Sequence, residues 1–468
     1  AWSYADLAEA AVALADELRA LGVQGGDRVL IATENCAPAV AALFATSSIG
    51  ATLIFFNARL TESDLARILD HATPAALLFC DAVSAEAKAH GERFAAAPLR
   101  AVRGQLSAVA RASDPAPELH DVATILYTTG TTGTPKGVML SHSNLLYAGR
   151  VSCDARGVRA EDVLYGVLPL SHVFGVASVV MAAITGGASV RLEPRFSPAQ
   201  LYAALQNGLT LLSAVPQMLA QLMHYTREQG FEQMPSLKLR YISSGAAPLD
   251  LDWKRKVEDF FKLPLQNGYG MTEASAGICL TTNRKFTDDI SVGQALPGTA
   301  IKLDHQAPGG EDDIGEILIK GPGVMKGYFR NAEATANALG TDGWMRSGDL
   351  GRLDADGKLH IVGRSKELII HGGFNVYPPE VEAALNQHPQ VIQCAVIGIV
   401  QDGDEKVYAF VEASADNWPT EDELKSFAAE HLAGYKRPSR IIVVERLPAA
   451  ATGKILKQHL PALLECRS

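Results

Sequence analysis

The feature that most constrains how this chain folds is an alternation. Short apolar runs bounded by glycine or proline recur, among them RVLIAT, ATLIFF, AALLFC, TILYTT, VLYGVLPL, ASVRLE, LTLLSAV and LRYISSG. Between them lie stretches of helical periodicity such as SYADLAEAAVALADELRALG and SPAQLYAALQNG. Runs this short, flanked by turn residues, read as strands, and their alternation with amphipathic helices predicts an α/β fold with largely buried strands. A chain of 468 residues is too long for one simple core, so two or more units are expected. No internal repeat is present.

After about Gly298 the texture changes to short strands with turn chemistry: AIKLD, GEILIKGPG and GRLDADGKLHIVGR. The D-A-D-G turn from Asp354 to Gly357 is a hairpin signal, and a β-rich subdomain is predicted over about 298–364. Beyond GRSKELIIHGGFNVYPPEVEAAL a smaller unit follows, with VIQCAVIGIV and KVYAFVEA as strands and TEDELKSFAAEHL as a helix. Thr420 and Glu423 fit a capping box at the start of that helix. The expected organisation is a large N-terminal domain over 1–364, made of α/β subdomains plus the β-rich one, and a small mobile α+β domain over 365–468.

Composition narrows the function. The formal charge of −10 argues against a nucleic-acid binder, which needs a basic face to displace counterions from phosphates. The longest apolar run, VFGVASVVMAAITGG, is too short and too glycine-interrupted to span a bilayer, so no transmembrane segment is expected. The N-terminal stretch is an amphipathic helix carrying Asp and Glu, unlike a signal peptide; no initiator Met precedes it, and a missing native start is expected. Six cysteines (Cys36, Cys80, Cys153, Cys279, Cys394 and Cys466) lie far apart without C-x-x-C spacing, which points to inert thiols in a reducing, cytoplasmic setting. The histidines show no H-E-x-x-H spacing, and no zinc is expected.

Against this ordinary background one segment stands out: YTTGTTGTPKGVMLSH, from Tyr127 to His142. Exposed amides, small hydroxyls and one ammonium are the groups that satisfy phosphate oxygens. Thr128, Thr129, Thr131, Thr132 and Thr134 offer hydroxyls, glycines such as Gly130 let the backbone approach, and Lys136 supplies charge. The segment is not G-x-x-x-x-G-K-[ST], because Lys136 follows Pro135 and precedes Gly137, so a P-loop kinase or ATPase is disfavoured.

Five further motifs follow in order: YISSGAAPL, QNGYGMTEAS, GWMRSGDLG, HIVGRSKELIIHGGFNVYPPEVE and LPAAATGKILK. Together with the threonine-glycine loop they cover nearly the whole chain and resemble the adenylate-forming superfamily of acyl-CoA synthetases, coumarate-CoA ligases, luciferases and peptide-synthetase adenylation domains. The resemblance implies a carboxylate–CoA ligase that forms acyl-AMP and pyrophosphate from MgATP and then transfers the acyl group to CoA. It implies a phosphate grip for Thr128 to Thr132 and Lys136, adenine contacts for Asn267 and Tyr269, a turn lining the adenine and acyl pockets for Gly245, Ala246 and Ala247, and places in the ATP site for Gly268, Gly270 and Met271. Thr272 would meet the α-phosphate and Glu273 would hold Mg²⁺, which usually takes one or two protein carboxylates beside phosphate oxygens. Asp349 and Arg364 would bind the ribose hydroxyls, with Ile361 in the same nucleotide set.

Lys454 resembles the lysine that reaches the carboxylate and α-phosphate during adenylation, where a cation offsets repulsion between two anions. Lys366 corresponds to the hinge about which the C-terminal domain turns. Gly372, Gly373 and Phe374 of HGGFN would then present a face to the pantetheine arm of CoA. His172 would line and gate the acyl site, a role favoured over acid–base catalysis because no carboxylate partner is evident nearby in sequence. Two departures are plain: Ile370 stands where plant coumarate ligases carry lysine, and Asn375 where they have glutamine.

The acyl pocket candidates are His172, Phe174, Ser178, Gly245, Gly268 and Ala276, mostly small or apolar with no cation to pair a second carboxylate. That disfavours malonate-type diacids, since a desolvated second charge needs a partner, and leaves fatty, aryl or alicyclic acids. Three other readings stay open: an adenylation enzyme that loads a carrier-protein thiol, a nucleotide-binding protein without turnover, and a luciferase-like oxygenase. Finally, Pro448 to Lys454 matches the P-x4-G-K context in which bacterial acyl-CoA synthetases are acetylated, which would make a lysine acetyltransferase a partner and remove the adenylation cation.

Overall fold

The computed structural model describes residues 1–128, 135–234, 238–245, 249–401, 403–413, 418–449 and 455–465. Among these, three large sheets and two small ones organise the chain.

The first sheet explains why its strands read as unbroken apolar runs. Strands β1 (Arg28–Thr33), β2 (Thr52–Asn57), β3 (Ala76–Phe79) and β4 (Val122–Thr128) pair in parallel around β1 and β2. Alternate residues enter different cores: Val29, Ile31, Leu53 and Phe55 join one cluster, while Leu30, Ala32, Ile54 and Phe56 join another on the opposite face. A strand buried on both faces has no polar side to alternate with. Beyond β4 the sheet turns antiparallel through β5 (Lys136–Ser141), and the two-residue strand Gly327–Tyr328 closes that edge against Val138 and Met139. Helix α1 (His142–Arg156) leaves β5 through a capping box of Ser141 and Asn144.

In the second sheet, β6 (Leu211–Ala214), β7 (Tyr241–Gly245) and β8 (Leu265–Met271) run parallel, and β9 (Ala276–Leu280) turns back antiparallel to β8. The expected apolar run near Phe174 is a π-helical turn, Phe174–Met181, continued by the helix Ala182–Gly186. Gly175 fits there because a Cβ would lie 2.3 Å from the Pro169 carbonyl oxygen.

The third sheet is the predicted β-rich texture: Ala300–Asp304, Gly315–Lys320, β10 (Met345–Leu353) and β11 (Leu359–Arg364), all antiparallel. The D-A-D-G turn joins β10 to β11, with the Asp354 carboxylate accepting from the backbone N–H of Asp356 and Lys358 and Gly357 at φ 72°. C-terminal to it, the hairpin Ile369–His371 and Phe374–Val376 and a three-stranded sheet share their own core of Val376, Val381, Leu385, Val396, Val407 and Leu424. The Thr420–Glu423 capping box forms as the sequence predicts. No helix among the described residues is long and apolar enough to cross a membrane.

Candidate functional site

One short segment, the end of β8 and the turn Thr272–Ala274, touches two groups of polar residues. On the first side, Tyr269 donates its hydroxyl to Asp349 Oδ2 at 2.5 Å, and Arg364 Nε stands 3.1 Å from Asp349 Oδ1. Asp349 and Arg364 face each other in the β10–β11 ladder, so sheet register alone sets their pairing. Burial, then the Asp349 charge, pushes the Tyr269 phenol far above its ordinary range and keeps it a donor. Asp349 is buried with a partner on each carboxylate oxygen. Ile361 lies on β11 opposite Gly351.

On the second side, Glu273 accepts the Tyr328 hydroxyl at 2.9 Å, and the Lys136 ammonium stands 4.9 Å from the centroid of the same ring. Tyr328 thus separates the two charges, which form no ion pair with each other. Its backbone is fixed by pairing with β5 and by donation to Thr335 Oγ1 at 2.9 Å, while Met325 N–H donates to the Glu273 carbonyl at 2.8 Å. Burial and the Glu273 carboxylate raise the Tyr328 phenol, which therefore remains a donor. Thr272 is buried and Thr128 pairs with Lys136 across the β4–β5 hairpin. Thr129, Gly130, Thr131, Thr132 and Thr134 lie outside the described residues, as do Ala246, Ala247 and Lys454.

Asn267 is committed through its amide nitrogen to the Ser291 carbonyl at 3.0 Å, and its N–H to Thr281 Oγ1 at 2.8 Å, which leaves Oδ1 as the atom it can offer. Gly270 is demanded by geometry: a Cβ would lie 1.6 Å from the Ala276 carbonyl oxygen. Gly245 and Gly268 face each other across β7 and β8. A Cβ on Gly245 would meet Phe174 Cε1 at 3.5 Å and the Gly268 oxygen at 3.6 Å, so these three expected pocket residues do converge. His172 accepts the Phe174 N–H through Nδ1 at 3.2 Å, and Ala276 packs in one cluster with Val173, Val176 and Ala177.

The sequence reading named no cation near these residues. Ser178 is buried, and its carbonyl accepts from Arg156 Nη1 at 2.5 Å, which places a buried guanidinium directly behind the π-helical turn. Arg156 closes α1 just before Gly157, so in sequence it looks like an ordinary cation at a helix C-terminus. Tyr328 also escaped the sequence reading, since two residues of strand leave no periodic signal.

Farther along, Lys366 is exposed in the turn Ser365–Glu367. Gly372 and Gly373 adopt φ 58° and 82° at the tip of their hairpin, where the Asp404 carboxylate accepts the Gly372 N–H at 2.9 Å. Phe374 is exposed and stacked on Tyr435 with centroids 4.8 Å apart. Asn375 donates to Glu311 at 3.0 Å, and the exposed Ile370 is held by its backbone N–H to Glu405.

Comparison with known proteins gives this arrangement a context. Residues 1–329 match the AMP-binding enzyme model and residues 380–454 the AMP-binding enzyme C-terminal domain. A 2-succinylbenzoate–CoA ligase of Geobacillus kaustophilus is 34% identical over 467 residues, covering 99% of this chain and 93% of that protein. A feruloyl-CoA synthase of an Amycolatopsis species is 34% identical over 471 residues, covering 98% and 93%. The solved o-succinylbenzoate coenzyme A synthetase of Bacillus subtilis, in complex with ATP and magnesium ion, superposes with a TM-score of 0.80 at 28% identity, covering 98% of this chain and 93% of that one.

Proposed function

The chain belongs to the AMP-binding enzyme family, and from that premise we propose that it is an AMP-forming carboxylate–CoA ligase acting on an aromatic acid. The observation that carries the reading is the single segment from Asn267 to Glu273, which reaches a diol-accepting carboxylate through Tyr269 and a phosphate-facing pair through Tyr328. ATP, Mg²⁺ and CoA are its co-substrates and cofactor.

The residues fit these groups chemically. Asp349 accepts from two ribose hydroxyls once Tyr269 gives up its hydrogen bond, with Arg364 beside it. Glu273 and Thr272 supply one carboxylate and one hydroxyl, the donor set of an ion that arrives with a nucleotide; no cluster able to hold a metal by itself exists among the described residues. When bound, Mg²⁺ neutralises phosphate charge. Lys136 meets the β- and γ-phosphates, the part that leaves. Lys454 bridges the acid's carboxylate and the α-phosphate while the carboxylate oxygen attacks phosphorus and the bond to the β-phosphate oxygen breaks. In the second half-reaction the thiol sulfur attacks the acyl carbonyl and AMP departs.

The two half-reactions need different faces of residues 365–468. A turn about Lys366 withdraws Lys454 and brings up Gly372, Gly373 and Phe374, whose tip leaves room for a thin pantetheine arm. Phe174 lies over the glycine pair Gly245 and Gly268, an aromatic and side-chain-free surface of the kind a flat ring packs on, and the two relatives named above are called 2-succinylbenzoate–CoA ligase and feruloyl-CoA synthase. Acetylation of Lys454 by a lysine acetyltransferase would block adenylation alone. The described cysteines are free and buried, which supports a reducing, cytoplasmic setting. Separate assays of the half-reactions test this scheme: Lys454→Ala should lower acid-dependent ATP–pyrophosphate exchange by about a hundredfold or more while sparing thioester formation from preformed acyl-AMP. Equal loss in both would contradict it.

A further inference from the structure

Lys136 and Glu273 belong to different sheets: Lys136 opens β5 of the first, and Glu273 stands in the turn that follows β8 of the second. One side chain spans the seam between them. The Tyr328 hydroxyl donates to Glu273 Oε1 at 2.9 Å, and the Lys136 ammonium lies over the same ring, 4.9 Å from its centroid. All three residues are half-buried. The two charges share one tyrosine yet form no ion pair with each other.

The backbone fixes where that tyrosine stands. Gly327 and Tyr328 pair with Met139 and Val138 of β5, the Lys326 N–H donates to the Met139 carbonyl at 3.0 Å, and the Phe329 N–H donates to the carbonyl of Gly137, the neighbour of Lys136, at 2.8 Å. From the other side the Met325 N–H donates to the Glu273 carbonyl at 2.8 Å. Gly327 is required between them: its φ is 137°, and a Cβ would lie 2.7 Å from Thr335 Cγ2, whose own Oγ1 accepts the Tyr328 N–H at 2.9 Å. The segment from Met325 to Phe329 is thus bonded to Glu273 at one end and to the start of β5 at the other. Neighbouring strand residues point to opposite faces. Phe329 is buried in the core with Leu30 and Ile54, so packing is served by the phenylalanine and the tyrosine is left to the two charges.

We propose that Tyr328 is a positioning residue for the triphosphate end of ATP: it holds Glu273 by its hydroxyl and Lys136 by its ring, so that the two charges wait apart for phosphate and for the ion that accompanies it. This rests on the ligase reading, which gives those two residues their partners, and adds the part that keeps them available. Opposite charges on flexible arms across a seam attract, and once paired they would have to separate before either met ATP. Tyr328 holds both without using up what the ligand needs. A single phenol hydroxyl leaves Oε2 of the carboxylate to other partners, and a ring face holds an ammonium without consuming its three N–H donors. Groups already held in place also bind at a lower ordering cost. The consequence is selective: AMP lacks the phosphates that meet Lys136, so Tyr328 matters to ATP and not to AMP.

Calorimetry of ATP in the presence of Mg²⁺, and of AMP, on the wild type, Tyr328→Phe and Tyr328→Leu tests this. Tyr328→Phe keeps the ring and loses the hydroxyl; its ATP affinity should fall about tenfold while its AMP affinity changes by less than about twofold. Tyr328→Leu removes the ring as well and should lose about threefold more, for ATP alone. The half-reactions should divide in the same way, with acid-dependent ATP–pyrophosphate exchange lowered and thioester formation from preformed acyl-AMP kept. A tyrosine that only supports the fold would weaken both nucleotides together. That result, or an unchanged ATP affinity in both variants, would overturn the proposal and leave the ligase reading standing. A wild type that binds neither nucleotide would overturn the ligase reading, and this proposal with it.

Discussion

The nucleotide side and the acid side of this site are built by different means. On the nucleotide side every anchor is a charged or hydroxyl group held by another: Tyr269 and Arg364 by Asp349, Glu273 by Tyr328, Lys136 by the ring of Tyr328. On the acid side Phe174, Gly245, Gly268 and Ala276 make a shape with small and apolar side chains. The first is satisfied before its ligand arrives and must exchange partners. The second has little to exchange and meets the acid by contact alone. A common substrate can be met by fixed polar chemistry, whereas the choice of acid is left to packing.

Breaking the nucleotide side should cost most. Asp349→Asn removes the charge that Tyr269, Arg364 and the ribose all use, and ATP affinity measured by calorimetry should fall between about tenfold and a hundredfold, the range for hydrogen bonds to a charged group. A change below twofold would remove Asp349 from the ribose site. Gly245→Val acts on the other side. A Cβ there meets Phe174 and Gly268 at ordinary contact distance, so the two methyl groups beyond it press on Phe174 and reshape the acid side. The kcat/KM for a benzoate should fall about tenfold relative to propionate, the scale of methylene-sized changes in an apolar pocket; an unaltered ratio would place the acid elsewhere.

The smallest effect concerns pH and sharpens the contrast between polar and apolar anchoring. Donation from the Gly372 N–H, then from Lys406, lowers the Asp404 carboxyl to about 2. A carboxyl depressed in the folded state contributes stability above its ordinary value near 3.9 and loses it as pH falls through about 2. Amide exchange at Gly372 should accelerate across that window relative to Gly245, whose surroundings do not titrate. Parallel acceleration at both would mean that acid loosens the chain as a whole.

How far the sequence foretold this follows the same division. Strands β1 to β4 were legible because burial on both faces leaves continuous apolar runs, and the capping box and the D-A-D-G turn because their hydrogen bonds are local. Asp349, Arg364, Tyr269 and Glu273 were legible because few residue types can do their chemistry and each sits in a short motif. Arg156 was not, since its burial is made by Ser178 and Tyr241, distant in sequence, and its own neighbours announce only a helix end. Tyr328 was hidden for a similar reason: its role comes from pairing with β5, which the local sequence does not encode.

The central claim is that the nucleotide anchors serve AMP-forming ligation to free CoA. Simultaneous quantification of AMP, pyrophosphate and CoA thioester, with MgATP, CoA and a panel of aromatic acids, tests it most directly. The account predicts the three products in equal amounts with an aromatic acid of the panel. Release of ADP, or acyl-AMP that accumulates in the presence of CoA without a thioester, would contradict it.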